Sequence, residues 1–390
     1  MKASSLKSVV FLSNFFNHHQ RPFSQAMYEL IGDGYVFIET EEIDDERKAL
    51  GWGEKVYPDY VVSCSSFNQN KESYMSQIAH ADIVITGSAP EYLLKERLAL
   101  KKPLFFYSER PLKDNSQKWK YPFRLITWRK HNPQRKNCVM LCASAYTAAD
   151  FSKFFLYRKR CYKWGYFPEA KTYEDVGALI SGKQAGSILW CARMIDWKHP
   201  EVPILIAERL KNSGFSFRLN MIGCGPMQQQ LEEMIKCKGL ESHVFLLGSM
   251  SPQHVRSEME KSEVFLFTSD RNEGWGAVLN EAMNSACAVV ASHAIGSVPF
   301  LINDKENGLI YKDGSIDEIY RHVVCLLTAP ALRRSISEKA YFTIVNEWNA
   351  KNAAHRFLRL AEEIISGKTP QPFEKGLCSC AEVLKDDWYR

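Results

Sequence analysis

Two glutamates eight positions apart, Glu273 and Glu281, stand in the segment from Ser269 to Ser292, SDRNEGWGAVLNEAMNSACAVVAS. Carboxylates at this spacing can accept hydrogen bonds from the hydroxyls of one ligand at two points. The apolar run VFLFTS before them reads as a buried parallel strand, GWG as a tight turn, AVLNEAM as the first turns of a helix and AVVAS as the next strand. Glycines in such a turn let backbone N–H groups approach a ligand, and the helix N-terminus offers partial positive charge to a phosphate. Glu273 falls in the turn, and Glu281 about one and a half turns into the helix at ~3.6 residues per turn. On these two residues alone the plain alternative stays open: Glu273 closes a loop and Glu281 is a solvated helix residue.

Other segments repeat the arrangement. SILWCARMIDWKHPEVPILIAERLKNS reads as a strand, a polar turn with Arg193 and Lys198, and an amphipathic helix. FRLNMIGCGPMQQQLEEMIKCKGL is a strand running into Gly223, Cys224, Gly225 and Pro226 before another helix. Two glycines there are a weak signal by themselves, since tight strand-to-helix connections use them often. Alternation of strands and helices over this length argues for a parallel sheet covered on both faces, with ligands outside the carboxyl ends of the strands.

From about Ser187 to Leu327 the chain resembles the nucleotide-sugar-binding domain of retaining glycosyltransferases of family 4, which have the GT-B fold. Four features carry the likeness in order: a strand followed by Arg193 and Lys198, the turn from Gly223 to Pro226, the E-x7-E element from Glu273 to Glu281, and Asn307-Gly308-Leu309. The resemblance implies that Arg193 and Lys198 grip the donor diphosphate, whose negative charge grows as the glycosidic bond breaks. It implies that Glu281 accepts hydrogen bonds from ribose hydroxyls and that Glu273 lies near the donor hexose. Gly223 and Gly225 fall on the donor side, and amides of Gly274, Trp275, Gly276 and Ala277 face sugar hydroxyls and phosphate.

At 390 residues the chain suits two domains rather than one core. SVVFLS, YVFIET, DYVVSC, ADIVITG, PLFFYSER and NCVMLCAS form a second set of β-rich runs with helical segments between them. The expected architecture is α/β, GT-B: two doubly wound Rossmann-like domains facing across a cleft, with C-terminal helices returning to the first. The divisions are residues 1–170 (acceptor side), 171–186 (linker), 187–345 (nucleotide-sugar side) and 346–390 (helix and tail packing back on the first domain).

The first domain departs from the commoner family pattern. Its loop after the first strand, NFFNHHQRP, lacks glycine, and Ser108, Glu109 and Arg110 follow a central strand where many members have a histidine. His18, His19, Glu109 and Arg110 are therefore the candidates for the acceptor side. A zinc site at the two histidines is disfavoured, because adjacent histidines do not easily share one tetrahedral centre and no neighbouring cysteine completes it.

No stretch approaches ~18 consecutive apolar residues, and the N-terminus runs directly into a strand. Eleven cysteines show no metal-ligand spacing, which fits reduced thiols. The expectation is a cytoplasmic protein. A net charge of +5 is unevenly spread: DNSQKWKYPFRLITWRKHNPQRKN and FSKFFLYRKRCYKWGYF combine basic and aromatic residues. Such segments suit contact with an anionic membrane face better here than single-stranded nucleic acid, with ordinary surface charge the third reading.

The implied reaction moves a hexose, with retention, from a nucleoside diphosphate sugar, a UDP-sugar by preference, to a hydroxyl of a glycan or lipid-linked saccharide. No D-x-D ends a strand, so neither metal nor further cofactor is expected. The alternatives are a nucleotide-sugar epimerase or hydrolase of the same fold, or a non-catalytic nucleotide-sugar-binding protein.

Overall fold

The computed structural model describes residues 6–43, 56–113, 118–367, 370, 373–385 and 387–389. The chain divides into two compact units, Met1–Glu169 with Trp348–Lys385, and Ala170–Glu347 with Asp386–Arg390.

In the first unit the described strands are β1 (Val9–Ser13), β2 (Tyr35–Glu39), β3 (Val61–Val62), β4 (Ile83–Thr86), β5 (Leu104–Ser108), β6 (Cys138–Cys142) and β7 (Cys161–Lys163). They form one parallel sheet in the order β3-β2-β1-β4-β5-β6-β7. Burial on both faces explains why β1, β4 and β6 read as unbroken apolar runs. β7 lies in a segment whose basic and aromatic character masked its strand pattern. The tail pairs antiparallel with it: Lys163 N–H donates to Ser379 O at 2.8 Å, and Cys378 N–H to Lys163 O at 2.9 Å. Helix Ala350–Ile365 opens at Asn349, whose side chain caps the Asn352 amide at 2.9 Å, and Phe357 buries its ring among Phe23, Phe105 and Trp164.

In the second unit β8 (Gln184–Cys191), β9 (Arg218–Ile222), β10 (Val244–Leu246), β11 (Ser262–Phe267), β12 (Ala288–Ser292) and β13 (Leu309–Tyr311) form a parallel sheet ordered β10-β9-β8-β11-β12-β13. Its core runs from Ile188, Trp190 and Leu219 through Val264 and Val290 to Val323 and Ile336. Residues 171–186, read as linker, hold helix Val176–Ser181 and the start of β8 within this unit. Nearby, the buried ammonium of Lys183 donates to Met259 O and Ser285 O, each at 2.9 Å, where helices Pro252–Lys261 and Val278–Asn284 end. Two carbonyl-rich helix ends thus share one cation.

Each strand order reverses once: between β1 and β4 in the first sheet and between β8 and β11 in the second. Chains leaving neighbouring strands at such a point turn to opposite faces and open a crevice at the carboxyl ends. The glutamates and basic residues singled out by spacing follow β11 and β8.

Candidate active site

β8 and β11 pair directly, with Leu266 opposite Trp190, so the loops that follow them start side by side. Thr268, just past β11, ties them: its hydroxyl accepts from Trp190 Nε1 at 2.8 Å and donates to Lys198 O at 2.7 Å. Asp270 N–H donates to Trp197 O at 3.0 Å. The backbone carrying Lys198 is thereby fixed to the backbone carrying Glu273.

Gly223 and Gly225 support this loop from behind. Gly223 has φ +127°, and a Cβ there would stand 1.9 Å from Ala192 O; one at Gly225 would stand 2.4 Å from Met194 O. Met194 N–H donates to Cys224 O at 2.8 Å and Met227 N–H to Met194 O at 3.1 Å. The glycines after β9 are therefore required by the close approach of two backbones, a demand independent of any phosphate.

At the centre Lys198 Nζ forms an ion pair with Glu273 Oε2, which also accepts from Ser269 Oγ at 2.9 Å. The ammonium lies 4.2 Å from the centroid of the Trp197 ring. Arg193, on the same loop, is exposed, and its guanidinium makes no hydrogen bond or ion pair among the described residues. One cation is thus held and the other available to an anion.

Trp275 is fully buried, its Nε1 donating to Asn280 Oδ1 at 2.9 Å, so its indole belongs to the core. Gly276 has φ +81°, and a Cβ there would press on the Phe267 ring at 2.3 Å. Helix Val278–Asn284 begins just after Ala277, which places Glu281 about one turn in, a little earlier than its spacing suggested. Among the described residues the amides of Gly274, Gly276 and Ala277 have no acceptor. Amides left open before a helix are the usual partners of anionic or hydroxyl oxygens. The half-buried Glu281 carboxylate likewise accepts no hydrogen bond among the described residues. Burial raises its pKa, and the positive charge of Arg256 only partly offsets this.

His199 escaped the sequence reading. It has left-handed backbone at φ +49°, with Nδ1 3.1 Å from Glu201 Oε1 and Nε2 3.8 Å from Asp270 Oδ2. The carboxylates of Asp270 and then Glu201 raise its pKa to about 10, against the effect of burial. Burial pushes the Asp270 pKa upward, but the nearby His199 and the hydrogen bond from the Asn272 amide outweigh it and leave the carboxyl below its ordinary range. An imidazolium therefore joins the two loops next to Lys198. The only hint in sequence was a histidine beside that lysine, which spacing alone does not interpret.

In the first unit, His18 and His19 follow β1 with ring centroids 3.9 Å apart. Burial and the neighbouring His18 lower the His19 pKa to about 3, so His19 is neutral. Its ring lies 6.2 Å from that of Tyr166, whose hydroxyl donates to Glu109 Oε1 at 3.1 Å; Lys113 pairs with Glu109 Oε2 at 3.0 Å. These side chains share one end of the sheet. Arg110 turns elsewhere: it is 6 % exposed, with Nε 3.5 Å from Asp150 Oδ2 and its guanidinium over the Tyr146 ring at 4.6 Å. The glycine-free loop is held by side chains instead. Phe16 N–H donates to the buried Glu39 Oε1 at 2.6 Å, and His19 N–H to Asn17 Oδ1 at 2.9 Å. Among the described residues no group of three or more His, Cys, Asp or Glu side chains is arranged to hold a metal ion.

Two parallel, doubly wound sheets, with basic and acidic groups at the switch point of the second, define a protein of the GT-B class. The chain is a glycosyltransferase: residues 179–342, which include that switch point, match the family described as Glycosyl transferases group 1. It is 25 % identical over 296 residues to an uncharacterized glycosyltransferase of Methanocaldococcus jannaschii, covering 72 % of this chain and 74 % of that protein. It is 24 % identical over 170 residues to the poly(ribitol-phosphate) alpha-N-acetylglucosaminyltransferase of Staphylococcus aureus, covering 43 % of this chain and 34 % of that protein. The fold is similar to that of Anabaena HepE crystallised with UDP, with TM-score 0.65 and 15 % identity, covering 88 % and 97 % of the two chains.

Proposed function

We propose that this chain transfers a hexosyl group from a UDP-sugar, with retention of anomeric configuration, to a hydroxyl of a glycan or lipid-linked saccharide. The observation that carries the reading is the set of groups around the β8–β11 switch point: paired Lys198 and Glu273 and, without partners among the described residues, Arg193, the amides of Gly274, Gly276 and Ala277, and Glu281. Arg193 and Lys198 supply fixed positive charge for a diphosphate leaving group, which is worth most where water is scarce. Glu281 accepts the ribose hydroxyls and Glu273 positions the hexose. The departing phosphate oxygen takes the proton of the incoming hydroxyl on the same face, so no side chain serves as covalent nucleophile. The cationic side chains do the work a divalent ion does elsewhere, and turnover proceeds without metal. The first unit, with His18, His19 and Glu109 at the end of its sheet, receives the acceptor. The Staphylococcus aureus relative, named for transfer onto poly(ribitol-phosphate), supports an acceptor hydroxyl on a polymer.

The test is calorimetric titration with UDP, GDP and ADP sugars. The expected result is binding of a UDP-sugar that weakens at least about tenfold in Arg193→Ala and Glu281→Gln; equal binding in both variants overturns the site assignment. UDP release that needs no acceptor excludes transfer in favour of hydrolysis. The anomeric configuration of the product, read by NMR, tests retention, and loss of turnover in EDTA that magnesium restores would refute the metal-free mechanism.

A further inference from the structure

Residues 115–168 hold twelve Lys or Arg and one acidic residue, Asp150, in a chain whose overall charge is +5. Asp150 is 1 % exposed and already engaged by Arg110, Lys153 and the Leu112 amide, so it does not soften the positive surface. Helix Tyr121–His131 crosses this region with two apolar faces. One is ordinary: Tyr121, Leu125 and Trp128 pack inward, with Trp128 4.6 Å and Tyr121 5.3 Å from the Phe154 ring. The other is left uncovered by the described residues. Trp119, Phe123 and Ile126, at helical spacing i, i+4 and i+7, are 68 %, 68 % and 74 % exposed. Phe155, adjacent in sequence to the buried Phe154, is 53 % exposed, with the Arg158 guanidinium 5.6 Å from its ring centroid.

We propose that this surface docks the chain on an anionic phospholipid bilayer, with Trp119, Phe123 and Ile126 entering the interfacial layer and the basic side chains meeting headgroup phosphates. The chemistry selects this occupant. Large apolar side chains rimmed by lysine and arginine match a surface with hydrocarbon below and negative charge above. Beside them lies a groove of about 350 Å³, lined by Trp119, Lys120, Phe123, Arg124, Thr127 and Trp128, in which cations border apolar rings. Single-stranded nucleic acid needs flat rings for stacking, a role that aliphatic Ile126 does not fill. A second copy of the same surface is repelled by like charge.

The test is co-sedimentation of the full chain with vesicles of neutral phosphatidylcholine alone and of phosphatidylcholine with phosphatidylglycerol. At low salt the chain should pellet with the anionic vesicles only, and raising salt should release it, because the headgroup contribution is screened. The double variant Phe123→Ser, Ile126→Ser replaces exposed side chains, so its melting temperature and UDP-sugar binding should stay unchanged while vesicle affinity falls at least about tenfold. No pelleting with anionic vesicles, or undiminished pelleting of the double variant, overturns the proposal. So does binding to poly(U) that is lost in Lys120→Ala, Arg124→Ala while vesicles leave the chain in solution. Donor binding uses other residues, so either outcome is separable from the proposed transfer reaction.

Discussion

Lys198 and Glu273 are separated by 75 residues in sequence yet form an ion pair between side chains only 12 % and 9 % exposed. Neither position is explained by its own element. Lys198 is set by the Thr268 hydroxyl, which donates to its carbonyl, and by the Asp270 amide, which donates to the neighbouring Trp197 carbonyl; Glu273 is set by Ser269 and the turn closed onto Asp270. A pair this sheltered is coupled, because removing one charge leaves the other with little water to replace it.

Lys198→Met and Glu273→Gln should each cost about 3 kcal/mol of stability, the scale for breaking a largely buried ion pair from one side. The double variant should recover most of that loss, since two uncharged groups of similar size replace the pair. Activity should not recover, because the leaving group still lacks its cation. Thermal denaturation and turnover of the three variants check this; additive destabilisation would argue that the pair is energetically uncoupled.

Glu281→Gln should separate stability from binding. Burial raises the folded carboxyl's pKa above its ordinary 4.5, so ionising it costs the folded chain more than the unfolded one. That penalty is absent below the ordinary value, grows as pH rises through it and is complete above the raised value. The Gln variant should therefore melt higher than wild type near pH 7.5 and equal to it near pH 4. Its UDP-sugar affinity should fall about tenfold, the difference between charged and neutral hydrogen-bond acceptors. A melting difference that does not vary with pH would sink the assignment of burial as its cause.

Periodicity made the strand–helix alternation of both units readable, since a strand buried on both faces leaves a continuous apolar run in sequence. β7 did not stand out, because three residues paired to a distant tail have no pattern of their own. At the site, the types and spacing of Arg193, Lys198, Glu273 and Glu281 pointed to the ends of β8 and β11. The pairing of Lys198 with Glu273 was not legible, nor was the His199 contact, because both depend on how two loops lie across a sheet. Trp275 and Arg110 teach the same lesson in reverse: each stands among candidate residues, yet the Trp275 indole bonds Asn280 and the Arg110 guanidinium sits at Asp150 inside the fold.

Gly223→Ala should unfold the back of the donor loop. The new methyl must move away from Ala192 O, and φ +127° is strained for any residue with a side chain. A loss of about 2 kcal/mol or more is expected, together with weaker donor binding, because the displaced backbone carries Arg193. Gly214→Ala provides the control: its φ is also positive, at +75°, but nothing lies within 4 Å of the added carbon. Backbone strain alone should destabilise it less than Gly223→Ala and leave donor binding intact. Equal effects in the two variants would mean that close backbone approach contributes nothing at Gly223.

His199→Gln should produce a stability deficit that depends on pH in the opposite sense to Glu281. The neighbouring carboxylates of Asp270 and Glu201 raise the folded histidine pKa from 6.5 to about 10, so protonation favours the folded chain. The stabilisation is fully present below pH 6.5 and is lost progressively as pH climbs toward about 10. Melting curves should show the variant furthest below wild type near pH 6 and close to it above pH 10. Because the imidazolium joins the loop bearing Lys198 to the one bearing Glu273, UDP-sugar affinity at pH 7 should also fall severalfold, with Asp270→Asn giving a similar loss. A deficit of constant size across that range would assign His199 to packing and leave Lys198 positioned by the Thr268 and Asp270 backbone contacts alone.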